Sequence, residues 1–347
     1  GLDASWELDL WGAGAAGVRA ADAVATASAL TLEQVRVSVA AEVALTLLQL
    51  RGTQARAAIA RRNLASQQQT LQIVQWRHEA GLVTALDVEQ ARTAVEQTRA
   101  QIPALQASAT QAQHALALLT GQPPGALQGM LAAADSPAPP TVPDDLALAI
   151  PAEVLRQRPD VMAAEQQVAA AVARIEQTDL GRLPSFSLSG SVGLTALTLS
   201  GLGSGAGVAS LLGGVGLPVF DGGRRQAQVR QQEAARDEAV IAYRGTVLAA
   251  LKEVEDALVT IAAAREQLGA QQTAADAARR AAELAGQRYR SGLVDFQNVL
   301  QSQRTLLSAE DSVATTSTTL ATAHVRLVKA LGGGWNPDAA MPAVTTR

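Results

Sequence analysis

His78, His114 and His324 are the only imidazoles in the chain. An imidazole can serve as a general base or a metal ligand, and either task needs a second polar group held close to it. The three lie far apart in sequence, and no cysteine is present to join them. Each reads as a helix-surface residue. Gly201 to Gly207 contains Gly-x-Gly spacing, but it lacks the lysine and the following helix start of a phosphate-cradling loop. It reads as a loop between two strands. Trp6 and Trp11 have the amphipathic rings of a membrane-interface belt, and ordinary packing explains them equally well. No catalytic constellation, metal set or cofactor site emerges. The polar residues that carry the most information are those at two turns.

Arg77-His78-Glu79-Ala80-Gly81-Leu82-Val83-Thr84-Ala85-Leu86-Asp87-Val88-Glu89-Gln90 reads as a tight turn between two very long helices. Gly81 is its pivot, because glycine enters a left-handed turn without a Cβ clash. The stretch returns as Arg288-Tyr289-Arg290-Ser291-Gly292-Leu293-Val294-Asp295-Phe296-Gln297-Asn298-Val299-Leu300-Gln301, with Gly292 lying 211 residues after Gly81. Arg77 and Arg288, Leu82 and Leu293, Val83 and Val294, Val88 and Val299, and Gln90 and Gln301 keep that register. So do Gly121 and Gly332, where each return helix stops. A repeat this long marks a duplicated architectural unit, not a short-period solenoid.

These turns belong to a chain of 347 residues with 48% hydrophobic and only 3% aromatic residues. Alanine, glutamine and arginine dominate, and Lys252 and Lys329 are the only lysines. Such a composition favours long, closely packed helices. The absence of cysteine excludes disulfide and thiolate chemistry and fits an oxidising compartment. A net charge of -4 argues against a nucleic-acid partner, which calls for a basic stripe. No run of about 18 apolar residues predicts a transmembrane helix. The chain starts at Gly1 with no signal-like segment, which suggests a mature piece or fragment.

In order along the chain, Ser5 to Trp11 alternates with the period of a strand, closed by Gly12 and Gly14. From Ala15 to Ala80 there is no proline, and a single helix is expected. Leu50, Ala57, Leu64 and Leu71 recur every seven residues, with Val74 three further on, the spacing of a left-handed coiled coil. The return helix to Gly121 contains Pro103, which should kink or split it. Residues 122–151 hold seven prolines, among them Pro123, Pro140 and Pro151. They read as a stiff belt or crossover along the bundle. Ala152 to Leu180 is a further alanine-rich helix broken early by Pro159. Ser185, Ser187, Ser189 and Ser191 then alternate with Phe186, Leu188, Val192 and Leu194, as in a barrel strand with a wet lumen and a lipid exterior. A returning strand is expected from Ala209 to Phe220, ended by Asp221-Gly222-Gly223. The second long helix spans Arg224 to Arg290. Val247, Val254, Ile261 and Leu268 step by seven, with Leu251 and Leu258 in the partner position. Its return helix reaches Leu331. The expected divisions are therefore 1–121, repeat one; 122–151, the Pro-rich linker; 152–335, repeat two; and 336–347, a tail.

Strands joined to duplicated long helical hairpins resemble the outer-membrane factor family, the TolC/OprM-type ducts of Gram-negative efflux and secretion. Arg158-Pro159-Asp160-Val161-Met162-Ala163-Ala164-Glu165 is similar to that family's Arg-Pro-Asp-Ile-x-Ala-Ala-Glu. Leu183-Pro184-Ser185-Phe186-Ser187-Leu188 resembles its third barrel strand, and Phe220-Asp221-Gly222-Gly223-Arg224 the opening of its second long helix. Val328-Lys329-Ala330-Leu331-Gly332-Gly333-Gly334-Trp335 is similar to the lipoprotein-like drug-efflux branch. Together these stretches cover nearly the whole chain.

The resemblance implies a mainly α fold with a small β part: helical hairpins in a coiled-coil tube joined to membrane barrel strands, completed by trimerisation. It implies a bacterial outer-membrane location with helices reaching into the periplasm. The implied partners are two further copies, a periplasmic adaptor protein, an inner-membrane pump and outer-membrane lipid. The family has four strands per chain and three are legible here. The fourth, the upper helix of repeat one, a signal peptide and any lipid-bearing cysteine are expected before Gly1. A bilayer tolerates no open sheet edge, so this stretch alone should not close a barrel.

By the same resemblance, the tips at Gly81 and Gly292 pack into an iris that closes the periplasmic end. Asp87 matches the acidic residue of the first tip and Tyr289 the tyrosine of the second. A tyrosine hydroxyl donating to a carboxylate is a charge-assisted bond that helix rotation can break. The family's inner acidic ring falls on the amides Asn298 and Gln301, which leaves Asp87 and Asp295 as acidic lining. Val294 stands where the family has a basic latch. The resulting expectation is a passive exit duct for small toxic compounds, without enzymatic chemistry. The alternatives are a duct for type I protein secretion, a periplasmic adaptor with helical hairpins, and a structural coiled coil without a pore. The Leu331 to Trp335 ending favours efflux over secretion. The serine-faced strand and the duplication disfavour the other two.

Overall fold

In chain order the elements are β1 (Leu2–Leu8), α1 (Ala13–Glu79), α2 (Ala85–Leu119), α3 (Pro159–Leu180), β2 (Ser185–Thr195), β3 (Ala206–Gly216), α4 (Arg224–Arg290) and α5 (Phe296–Ala330). The computed structural model describes residues 1–132, 138–141, 156–195, 206–333 and 335. Most of the Gly201 to Gly207 loop, much of the proline-rich linker and the 336–347 tail lie outside the described residues. The ends of α1 and α2 recur 211 residues later as the ends of α4 and α5, giving helices of 67 and 35 residues twice. Among the described residues no helix is long and apolar enough to cross a membrane. By contacts the described chain forms two units, one from residues 1–34 and 152–249, the other from 35–151 and 250–336.

The first unit carries the sheet. Its strands run in the order β1-β2-β3, all antiparallel. The register sets Leu2 opposite Val192, Trp6 opposite Leu188 and Leu8 opposite Phe186, while Asp3, Ser5 and Glu7 oppose Ser191, Ser189 and Ser187. Between β1 and β2 apolar therefore meets apolar and polar meets polar, because a one-residue slip would reverse every side chain; between β2 and β3 the match is looser, with Ser189 opposite Leu212. The strand boundaries differ from expectation at both ends. β1 lies three residues earlier, and Trp11 falls outside it, where its indole Nε1 donates to the Pro184 carbonyl at 2.7 Å and its ring meets Phe186 at 6.5 Å. β3 stops at Gly216 rather than Phe220, two residues before Pro218, which has no N–H to give a ladder.

Two aspartates open the long helices. Asp9 Oδ2 accepts from the Ala15 backbone N–H at 2.9 Å; Asp221 accepts from Gly223 and Arg225 N–H groups at 2.9 and 3.1 Å. Each carboxylate satisfies donors that a helix start leaves free. Backbone donation, chiefly from Ala15 to one and from Arg225 to the other, holds both carboxyls below their usual value. At the start of α3 the Arg-Pro-Asp motif has a local explanation. Pro159 occupies the first helical position, where its missing N–H costs nothing. Arg158, buried beside it, makes a two-pronged bond to Asp160 at 3.0 and 2.7 Å.

The second unit carries the seams. Leu50, Ala57 and Val74 of α1 are buried as the sevenfold spacing predicts. On α4 the buried series is Ala250, Val254, Ala257, Ile261 and Ala264. The partner positions are thus alanines, not Leu251 and Leu258; Leu251 is 41% exposed. Alanine wins those places because it lets the axes approach closely, and the leucines stand on the flank of the seam. Among the described glycines the tightest surroundings are at Gly52, where a Cβ would come within 2.3 Å of Thr318 Oγ1. Pro103 sits inside α2 without splitting it, so the expected interruption is at most the loss of one ladder bond. The described part of the linker is tied down through its carbonyls. Gln54 donates to Leu131 at 2.9 Å, Arg51 to Ala132 at 3.2 Å, and Ser317 to Pro140.

Candidate functional site at the helical tips

Both tips end α1 and α4 in the same way. Gly81 and Gly292 have φ of +72° and +73°. The Gly81 N–H bonds the His78 carbonyl at 2.9 Å and Leu82 bonds Arg77 at 2.8 Å; Gly292 and Leu293 repeat this on Tyr289 and Arg288, each at 2.9 Å. This crossed pair satisfies the last helix carbonyls and needs the left-handed residue that glycine supplies. A Cβ at either glycine would meet no atom within 4 Å, so the requirement is one of backbone, not of space.

The return helices are capped by related chemistry. Thr84 caps α2, accepting from the Asp87 N–H at 3.4 Å, while Asp87 Oδ2 accepts from the Thr84 N–H at 2.9 Å and hydroxyl at 2.8 Å. Asp295 caps α5, accepting from the Asn298 N–H at 3.1 Å and side-chain amide at 2.7 Å. Each return helix therefore has one carboxylate engaged in its N-terminal cap, Asp87 at the first tip and Asp295 at the second. Gln301 stays within its own helix, donating to Thr305 Oγ1 at 3.4 Å.

Between the tips lies an apolar cluster that includes Val74, Val88, Tyr289, Phe296, Val299 and Leu300. Tyr289 is only 3% exposed, with its ring 6.0 Å from that of Phe296. The Arg77 guanidinium covers the other side of the tyrosine at 4.3 Å from the ring centroid, a cation–π contact. The same guanidinium donates through Nη2 to the Arg290 carbonyl at 2.8 Å, one of the carbonyls that the end of α4 leaves open. Gln297 Nε2 donates to Gln90 Oε1, a second polar tie between hairpins. Burial pushes the Tyr289 phenol pKa up, against a smaller downward pull from Arg77 and with a further push from Asp87. The Tyr289 hydroxyl has no hydrogen-bond partner, so in this structure it is not bonded to Asp87.

The structure thus brings Gly81, Asp87, Gly292, Tyr289, Asp295 and Asn298 to the two tips, with Asp87 committed to its cap and the Tyr289 hydroxyl unbonded. Sequence reasoning overlooked Thr84, Arg77 and Phe296 as site residues. The Thr84-x-x-Asp87 and Asp295-x-x-Asn298 spacings were readable as caps. The Arg77 contact was not, since its acceptor is a backbone carbonyl that any residue provides. Among the described residues no group of His, Asp and Glu could hold a metal ion.

The comparisons with known proteins follow this geometry. The family model "Outer membrane efflux protein" matches residues 1–122 and 150–333. The pyoverdine export outer membrane protein OpmQ of Pseudomonas aeruginosa is 34% identical, over 97% of this chain and 70% of its own length. The toluene efflux pump outer membrane protein TtgF of Pseudomonas putida is 33% identical, over 98% and 70%. Among solved structures, the outer-membrane channel OprN superposes with a TM-score of 0.90 at 37% identity, covering 97% of this chain and 75% of that one. The outer membrane protein VceC of Vibrio cholerae superposes with a TM-score of 0.86 at 26% identity, over 96% and 79%.

Proposed function

The chain belongs to the outer membrane efflux protein family and is an outer-membrane component of an efflux system; on that premise we propose that three copies form its passive exit duct, gated at the tips. Each copy contributes strands to one barrel and two hairpins to one periplasmic passage. The duct works with a periplasmic adaptor and an inner-membrane pump, which supplies the energy. It performs no enzymatic chemistry and needs no cofactor. Relatives named for pyoverdine and toluene support small organic compounds as its cargo. Selectivity in such a passage is electrostatic and steric. The duplication read as 1–121 and 152–335, bridged by 122–151, is the unit of this design, two hairpins per copy giving six tips per trimer.

The observation that supports the gate most is the pairing of two similarly built tips through Arg77 and through Gln90 with Gln297. Gly81 and Gly292 set the turns, Tyr289 fills the space between them, and Asp87, Asp295, Asn298 and Gln301 supply polar groups near the constriction. The full-length protein should be a trimer by light scattering and, in planar bilayers, a pore of low resting conductance. A monodisperse monomer, or a pore that is wide open at rest, overturns this reading.

A further inference from the structure

The guanidinium tie between the tips is made in one direction only. Arg77, near the end of α1, reaches to tip two, covers the Tyr289 ring and bonds the Arg290 carbonyl. The duplication gives each of these residues a counterpart 211 positions away: Arg288 for Arg77, His78 for Tyr289, and Glu79 for Arg290. The chain therefore carries a second set of the same parts, a guanidinium, a flat ring and a helix-end carbonyl. Within one chain that set is not assembled. Arg288, His78 and Glu79 are all exposed. Neither the Arg288 guanidinium nor the Glu79 carboxylate has a side-chain partner among the described residues.

We infer that Arg288 clasps tip one of a second copy of this chain, covering that copy's His78 and pairing with its Glu79, as Arg77 clasps tip two within the chain. In a closed ring the tips alternate one, two, one, two. Tip one meets tip two inside each chain, so tip two must meet tip one between chains, and Arg288 then stands where Arg77 stands. Charge favours the exchange. Arg77 bonds the backbone of an arginine, whereas Arg288 finds a carboxylate at the equivalent place, and an ionised acceptor strengthens the bond. The rest of this second joint is leaner. Phe296, which backs Tyr289, has Ala85 as its counterpart, and Gln297, which bonds Gln90, has Leu86. The joint between copies is thus more polar and less packed than the joint inside a chain, and it is where a closed ring parts first.

This inference rests on the trimeric reading, and the test separates the two. Residues 1–347 hold no cysteine, so two thiols introduced among them have no native thiol beside them. Full-length protein carrying Glu79→Cys and Arg288→Cys is treated in membranes with a bismaleimide long enough to replace the two lost side chains. The expected product is a covalent trimer on denaturing gels, whereas Arg77→Cys with Arg290→Cys should stay at protomer mass. In bilayers, Arg288→Glu and Glu79→Arg should each raise conductance several-fold, and the two together should restore the closed pore. Protomer-mass product from a protein that light scattering finds trimeric overturns the clasp alone. The same product from a monomer overturns the trimer as well. Single variants with unchanged conductance, or a double variant that stays open, also overturn the clasp.

Discussion

Asp87 and Asn298 occupy the same place in the two tips, the third residue of the return helix, and only Asp87 is charged. Its carboxylate closes the cap on Thr84, while at the second tip the carboxylate has moved to the capping position itself, Asp295. The duplication has kept one anion per helix start and changed its seat. Either seat answers the same need, since the first turn presents unsatisfied N–H groups and the positive end of the helix dipole.

That equivalence sets a prediction. Thr84→Ala and Asp295→Ala should each cost about 1 kcal/mol of stability, read as a lower unfolding midpoint of the full-length protein. Asn298→Asp should also be destabilising at neutral pH, because it replaces the amide that donates to Asp295 at 2.7 Å with a second carboxylate. An Asp295→Ala variant as stable as the parent would remove the cap from the account.

Tyr289 offers a sharper discrimination. Its ring is packed on both sides, but its hydroxyl is buried without a partner. Tyr289→Phe should therefore leave conductance and stability close to the parent, since it removes a group that bonds nothing. Tyr289→Ala should destabilise the tips by about 3 kcal/mol or more and open the pore. A several-fold rise in conductance for Tyr289→Phe would reveal a hydroxyl bond absent from this structure, with Asp87 as the acceptor that family resemblance names.

Helix crossing at Gly52 is set by contact, not by backbone angle. Gly52→Ala drives a methyl into Thr318, whose Oγ1 and Cγ2 would lie 2.3 and 2.9 Å away. We expect a loss of roughly 1–3 kcal/mol from this overpacking. Adding Thr318→Ala should recover part of it, and a double-mutant cycle measures the coupling. Strict additivity of the two changes would show that the helices do not touch there.

Much of this architecture is legible in residue types. The turns at Gly81 and Gly292 carry glycine where φ must be positive, and the Arg224 and Arg290 ends of α4 match expectation residue for residue. Local chemistry dictates such ends. Choices between neighbours are less legible. Leu251 and Ala250 both continue a heptad stripe through Val254, and hydrophobicity points to the leucine, yet helix approach selects the alanine. Pro103 is a strong breaker by itself, yet α2 runs through it from Ala85 to Leu119. The Arg77 tie ends on a carbonyl, which has no signature in sequence.

Acid should loosen the starts of α1 and α4. The Asp9 and Asp221 carboxyls are held low by backbone donation, first from Ala15 and first from Arg225. A depressed carboxyl contributes stability that is present above the unfolded value, about 3.9, and lost as pH falls through the folded one. Asp9→Asn with Asp221→Asn should thus be less stable than the parent at neutral pH, and the gap should narrow below pH of about 4. A gap independent of pH would assign the effect to shape instead of charge.

The sheet register predicts alternate accessibility. Thiols placed at Ser187 or Ser189 should react with a water-soluble reagent, and those at Leu188 or Val192 with a lipid-soluble one, in full-length protein in membranes. Equal labelling of both sets would remove the barrel assignment.

β3 keeps one side without a neighbour among the described residues. On such a side every second residue offers a bare N–H and C=O, and in hydrocarbon no water can quiet them. A newly made chain therefore has a deadline. If copies share one barrel, as proposed, that rim must find another copy before rims meet at random, so the production of this protein is a race between orderly closure and sticking, and an escort that shields the rim in the periplasm would decide the yield.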